Sequence, residues 1–103
     1  MSLLTNGRIR HSVAFKLKHP EGSAQEADFL DAIARLQGIP GVEAFELMRE
    51  VSPKNDFRFG LTMEFADPAA YGVYNGHPDH VAFVERRWDA EVEDFLEIDT
   101  TVL

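Results

Sequence analysis

Apolar and polar positions alternate from Arg8 to Lys18, with Ile9, His11, Val13, Phe15 and Leu17 on one side and Arg10, Ser12, Ala14, Lys16 and Lys18 on the other. A two-residue period predicts a strand with one buried face. After the turn His19-Pro20-Glu21-Gly22, Ser23 and Glu26 have the spacing of a capping box. Ala27, Leu30, Ile33 and Ala34, with Phe29 and Leu36, then recur at helical spacing, so a helix is predicted over 24–37. Gly38 is placed to be its C′ residue, and Ile39-Pro40-Gly41 cannot continue it. Alternation resumes over 42–50, with Glu43, Phe45, Leu47 and Arg49 opposite Ala44, Glu46 and Met48.

The turn Ser52-Pro53-Lys54-Asn55-Asp56 precedes the clearest strand of the chain, in which Phe57, Phe59, Leu61, Met63 and Phe65 make one wholly apolar face. Asp67-Pro68 supplies an N-cap and an N1 proline for a short helix to about Tyr74. Asn75-Gly76 ends it, and His77-Pro78 opens another helix that carries Val81, Val84 and Trp88 beside His80 and Phe83 to about Asp89. A last strand over 92–102 places Leu96, Ile98, Thr100 and Val102 on one face.

The order β-α-β-β-α-α-β is that of an α+β, ferredoxin-like split βαβ plait: a four-stranded antiparallel sheet with helices on one face. In that arrangement the first strand lies beside the last, so Arg10, Lys16 and Lys18 should meet Glu93, Glu97 and Asp99. Phe45, Leu47 and Phe95 are expected on the helix-free face, which a second copy of the chain would cover as an isologous homodimer.

Length allows one domain: of 103 residues, 1–8 read as an N-terminal extension or tag remnant (Met1-Ser2-Leu3 above all) and 9–103 as the folded unit. With 45% apolar residues the unit can build its own core, and with no cysteine it has no disulfide, thiol nucleophile or cysteine-ligated metal. A formal charge of −8 opposes binding to nucleic acid or anionic lipid. The absence of an apolar run long enough for a membrane span or signal peptide leads us to expect a soluble, cytoplasmic protein.

Chemistry concentrates on histidine and tyrosine. His11 is the polar residue of an otherwise apolar strand face and is either a satisfied core histidine or a pocket-lining base. His80, in the first turn of its helix, suits a neutral general base, or else packs passively against Phe83 and Val84. His77 reads as a helix cap. Tyr74 reaches His80 if the Gly76-His77-Pro78 break folds the two helices together. Val13, Phe59, Val84 and Trp88 are expected to wall a site for a small apolar or aromatic ligand. His77 and His80 lack the one-face geometry and third ligand of a catalytic metal site, so no metal is expected, and no phosphate loop, nucleophile elbow or Ser–His–Asp grouping is present.

Ile9-Arg10-His11-Ser12-Val13-Ala14-Phe15-Lys16-Leu17-Lys18, Ile39-Pro40-Gly41-Val42, Phe65-Ala66-Asp67, Tyr71 to Tyr74, His77-Pro78-Asp79-His80 with Val81 and Phe83, and Asp99 together resemble the stress-responsive dimeric A/B barrel (Dabb) family. The resemblance implies a ferredoxin-like protomer that packs sheet to sheet into a dimeric α/β barrel, with no cofactor. It implies less about activity, since most members have no assigned reaction. In a plant member, a polyketide cyclase that forms olivetolic acid by aldol condensation, a tyrosine and the second histidine of H-P-x-H are the catalytic pair. They match Tyr74 and His80, and the histidine matching His11 lies in the same pocket. Three possibilities arise from the residues and the resemblance together: a ligand-binding barrel, an acid/base enzyme of the cyclase kind, or a cofactor-independent enzyme like the related monooxygenase barrels.

Overall fold

A computed structural model describes residues 4–103, and the Met1-Ser2-Leu3 segment lies outside the described residues. The chain runs β1 (Ile9–Leu17), α1 (Ala24–Ala34), β2 (Glu43–Arg49), β3 (Phe59–Phe65), α2 (Pro68–Gly76), α3 (from Pro78–Phe83) and β4 (Val92–Thr100). All neighbouring strands are antiparallel in the order β2-β3-β1-β4. The plait expected from the element order is therefore the fold, with β1 central and β4 on an edge.

His11, Val13, Phe15 and Leu17 of β1 and Phe59, Leu61, Met63 and Phe65 of β3 are all buried under the helices, as their alternation requires. Phe29 and Ile33 bring α1 onto this face. The Phe29 ring lies 6.0 Å from Phe15, 5.6 Å from Phe83 and 6.3 Å from Trp88, so one side chain joins the sheet to two helices. The capping box forms with a shifted return bond: Ser23 Oγ accepts from the Glu26 N–H at 3.1 Å, while Glu26 Oε1 accepts at 3.1 Å from the N–H of Gly22, one residue before the N-cap.

Three expectations give way. The first helix ends through a 3₁₀ turn, Arg35–Gly38, and the left-handed glycine is not Gly38 but Gly41, at φ +93°. This turn satisfies the last carbonyls with i→i+3 bonds, such as Ile39 N–H to Leu36 O at 3.1 Å, so no C′ glycine is needed at 38.

The register of β2 shifts between Glu43 and Glu46, where Ala44 takes φ +49°. One extra residue reverses the parity of the strand beyond it. Glu43 and Glu46 both face away from the helices, opposite Glu64 and Thr62, whereas Leu47 pairs with Leu61 and, like Phe45, packs on the core.

Finally, Phe95 pairs with Phe15, and Glu97 and Asp99 pair with Val13 and His11, so all three point to the helix side. Leu96 and Ile98, about half exposed, take the helix-free face beside Ala14 and Ser12. Phe45, Leu47 and Phe95 are thus not the residues of that face. Of the expected charge pairs only Lys16 with Glu93, at 3.0 Å, forms there, and Arg10 instead meets Glu64 of β3 at 3.4 Å. Arg8 pairs with Glu43 and Glu64, which ties the chain ahead of β1 to the sheet.

The third helix continues past Phe83 through a π turn, Val84–Trp88, and a last turn, Asp89–Glu91. Arg87 on this stretch bonds to Glu91 and, at 2.7 Å, to Asp28 of α1, which fastens the helix end to its neighbour.

Phe29→Ala should cost about 3–5 kcal/mol, the range for deleting a fully buried aromatic that leaves a cavity. Urea unfolding of the variant and the parent measures it, and a loss under about 1 kcal/mol would mean that Phe29 is not the joint described here.

Candidate functional site

Between the helix side of the sheet and α2 and α3 lies a cavity of about 310 Å³. His11, Tyr74 and His80 all line it, as do Val13, Val84 and Trp88. Phe59, expected among them, does not: it is buried beneath Phe15, with ring centroids 5.5 Å apart, and Arg49 covers its other side at 5.4 Å. Its place in the wall is taken by Phe95, whose half-exposed ring meets Trp88 edge-on at 5.4 Å. The π turn begins at Val84 and ends at Trp88, so its enlarged turn forms one wall of the cavity.

Backbone geometry fixes His80. The His77 ring caps α3 by accepting from the Asp79 N–H at 3.1 Å, so the helix begins two residues before His80. The imidazole then folds back on α2, where its Nδ1–H donates to the carbonyl of Asn75 at 3.1 Å. That bond selects the tautomer and leaves Nε2 as the lone-pair nitrogen. Burial holds the ring below its ordinary pKa of 6.5, with the neighbouring His11 acting in the same direction. A neutral imidazole with a free acceptor is the protonation state of a general base.

Tyr74 is buried, and its ring lies tilted against that of His80, with centroids 4.4 Å apart. The expected link between them is a ring contact, and the carbonyl of Asn75, not the phenol, orients the imidazole. No buried side-chain polar atom among the described residues lacks a partner, and the Tyr74 hydroxyl makes no side-chain hydrogen bond; it therefore opens to the cavity. Burial raises its pKa above the ordinary tyrosine value of 10, with the Glu97 charge adding to the effect, so it is a hydrogen-bond donor at neutral pH.

Opposite stands a network that the sequence pattern alone did not assemble. Asp99 Oδ1 lies 2.6 Å from His11 Nδ1, and the Tyr71 hydroxyl lies 3.0 Å from the same nitrogen and 2.9 Å from Asp99 Oδ2. Tyr71 also reaches Glu97 at 3.2 Å, and its pKa is raised by burial first and by Asp99 second. With Nδ1–H directed at Asp99, His11 keeps Nε2 for the cavity. The signal was available in the strand parity: Leu96, Ile98 and Thr100 on one face put Glu97 and Asp99 on the other, beside His11. The His11, Glu97 and Asp99 ligand atoms also fall within 4.8 Å of one another, the one such donor group among the described residues that fits a cation. Their hydrogen bonds to one another and to Tyr71 already use these atoms.

A family model described as the stress responsive A/B barrel domain (Dabb) matches residues 9–102. A Dabb family protein with a ferredoxin-like fold from Mesorhizobium loti is 57% identical, with a TM-score of 0.92 over 95% of this chain and 99% of that one. A hydroxynitrile lyase from Passiflora edulis shares the fold at 16% identity, with a TM-score of 0.83 over 96% of each chain. A dimeric protein of unknown function with a ferredoxin-like fold, from Bacteroides fragilis, is similar at 20% identity and a TM-score of 0.71, over 97% of this chain and 100% of that one. No curated protein matches significantly. No helix among the described residues is long and apolar enough to cross a membrane.

Because the folded pKa of His80 is depressed, its proton binds more tightly to the unfolded chain, so its contribution to stability is present above pH 6.5 and is lost as pH falls through and below that value. Titration of the His80 ring by NMR should show an inflection below 6.5 and nitrogen shifts of the Nδ1–H tautomer. An inflection at or above 6.5 would remove the neutral base.

Proposed function

The chain belongs to the stress-responsive A/B barrel domain (Dabb) family, and from that premise we propose that its cavity is an acid/base site for a small molecule bearing a carbonyl or hydroxyl group. One observation carries the reading: His80 lines the cavity as a neutral imidazole whose Nδ1–H is held by the Asn75 carbonyl, so that Nε2 is free to take a proton. A volume of about 310 Å³ suits a small ligand.

Nε2 of His80 would remove a proton from a carbon next to a carbonyl, or from the hydroxyl of a carbonyl adduct. The Tyr74 hydroxyl, unpaired and protonated, would donate to the oxygen on which negative charge gathers or from which it departs. In the first case the carbanion attacks a second carbonyl carbon of the ligand, a C–C bond forms as that C=O π bond opens, and the new alkoxide takes the proton held on the imidazolium. In the second the adduct's C–C bond breaks to give the carbonyl compound, and the imidazolium returns its proton to the leaving carbon. The similarity of fold to a hydroxynitrile lyase supports the second direction, and the correspondence of Tyr74 and His80 to the cyclase pair supports the first. Both directions use one base and one donor in one geometry.

The homodimer belongs to the same reading. Similar structures are dimeric, and the helix-free face carries Leu96 and Ile98 at 52% and 49% exposure, an apolar surface that a second copy would cover. The cavity opens on the opposite side of the sheet, so each protomer would keep its own site.

Against a panel of cyanohydrins and β-dicarbonyl compounds, His80→Ala should lower turnover by about 10²–10⁴-fold while the melting temperature stays close to that of the parent. Equal rates for the two proteins would overturn the acid/base role. Ile98→Asp should give a protomer-sized mass by light scattering where the parent gives twice that, and an unchanged mass would move the interface elsewhere.

A further inference from the structure

We infer that the cavity selects uncharged planar or aromatic carbonyl compounds and rejects their carboxylate counterparts, with Glu97 as the residue that sets this preference. The inference rests on the reading of the cavity as a site for a small carbonyl or hydroxyl compound and names the class of compound it takes. Two observations converge on it.

The first is the sign of charge in the wall. Carboxylates are present and cations are not: Glu97 and Asp89 line the cavity, no lysine or arginine among the described residues does, and Asp99 stands directly behind His11. The nearby guanidinium of Arg87 is spent on Glu91 and Asp28. Even a positively charged His11 would leave the wall negative, since Glu97, Asp99 and Asp89 outnumber one imidazolium. His80 adds no charge. Glu97 is the centre of this field, with a carboxylate oxygen 3.8 Å from His11 Nδ1 and 3.2 Å from the Tyr71 hydroxyl. Its charge also acts on both Tyr74 and His80. A ligand carboxylate or phosphate placed among these groups meets repulsion in a partly desolvated space.

The second is the apolar side of the wall. Trp88 and Phe95 meet edge-on, Phe95 remains half exposed, and Val13, Leu61 and Phe83 close the floor behind them. An edge-on aromatic pair with one face left free offers stacking surface to a flat ligand. The polar groups at the far end, His80 Nε2 and the Tyr74 hydroxyl, then meet a single carbonyl or hydroxyl.

Trp88 is the one tryptophan of the chain and lies in the wall, so its fluorescence and indole N–H resonance report occupancy directly. Benzamide and benzoate have nearly the same shape and differ in charge. With the 103-residue chain at about pH 8 and low salt, where benzoate is ionised, benzamide should bind about tenfold or more tightly than benzoate. Glu97→Gln should narrow the gap at least about threefold by strengthening benzoate binding relative to that of benzamide. Should that variant fail to fold, exposed Asp89→Asn tests the same field at the cavity mouth and should narrow the gap in the same direction. Benzoate binding as tightly as benzamide, a gap that neither variant moves, or no response of Trp88 to either compound would each overturn the inference. These outcomes are read by binding, so loss of His80-dependent turnover with the benzamide preference intact would sink the acid/base role alone.

Discussion

The antiparallel register of β1 against β4 is the constraint on which the site depends. It sets His11 opposite Asp99, Val13 opposite Glu97 and Phe15 opposite Phe95, and thereby collects a base, two carboxylates and an aromatic ring on the helix side of the sheet. Side chains alternate between faces, so a slip of one residue would send Glu97 and Asp99 to the opposite surface and bring Leu96 and Ile98 under the helices. The slip is opposed from both ends. Lys16 pairs with Glu93 at one end, and at the other the hydroxyls of Thr100 and Thr101 donate to the carbonyls of Arg10 and Arg8. Apolar burial by itself would prefer the slipped register, since it would hide Leu96 and Ile98. The register observed is the one that serves the polar network and leaves an apolar surface outside.

The two histidines of the cavity have opposite surroundings. His11 is held by carboxylates and a phenol, whereas His80 is held by a peptide carbonyl among apolar groups. A single small space thus presents imidazoles of distinct character, each with its Nδ1 committed and its Nε2 turned to the interior.

Much of this was legible in the residues. The alternation in β1 and β3, the capping box at Ser23, Pro68 and Pro78 at helix starts and the His77 cap all depend on neighbours in sequence, and all appear as expected. The convergence of His11, Tyr74 and His80 was implied by the family resemblance, whereas the pattern alone left each of them open between a packing and a chemical role. The features that escaped the pattern depend on parity and on partners. Leu96 and Ile98 are apolar, and the helix side was the natural place to look for a core; their true face is the one a second copy of the chain would cover. The bulge at Ala44 reversed β2 without any glycine to announce it. Phe59 shares the helix-side face with Val13, but the cavity occupies one part of that face and Phe59 another.

The π turn from Val84 to Trp88 places one more residue in a helical turn than α-helical geometry calls for. Removing a single residue there would restore regular winding and take the bulge out of the wall, with the helix on either side keeping its direction. The breadth of the cavity is in this sense encoded by chain length at one point rather than by the identity of any residue. A homologue with every wall residue intact but one position fewer between Phe83 and Val92 would keep the fold and lose the room inside it.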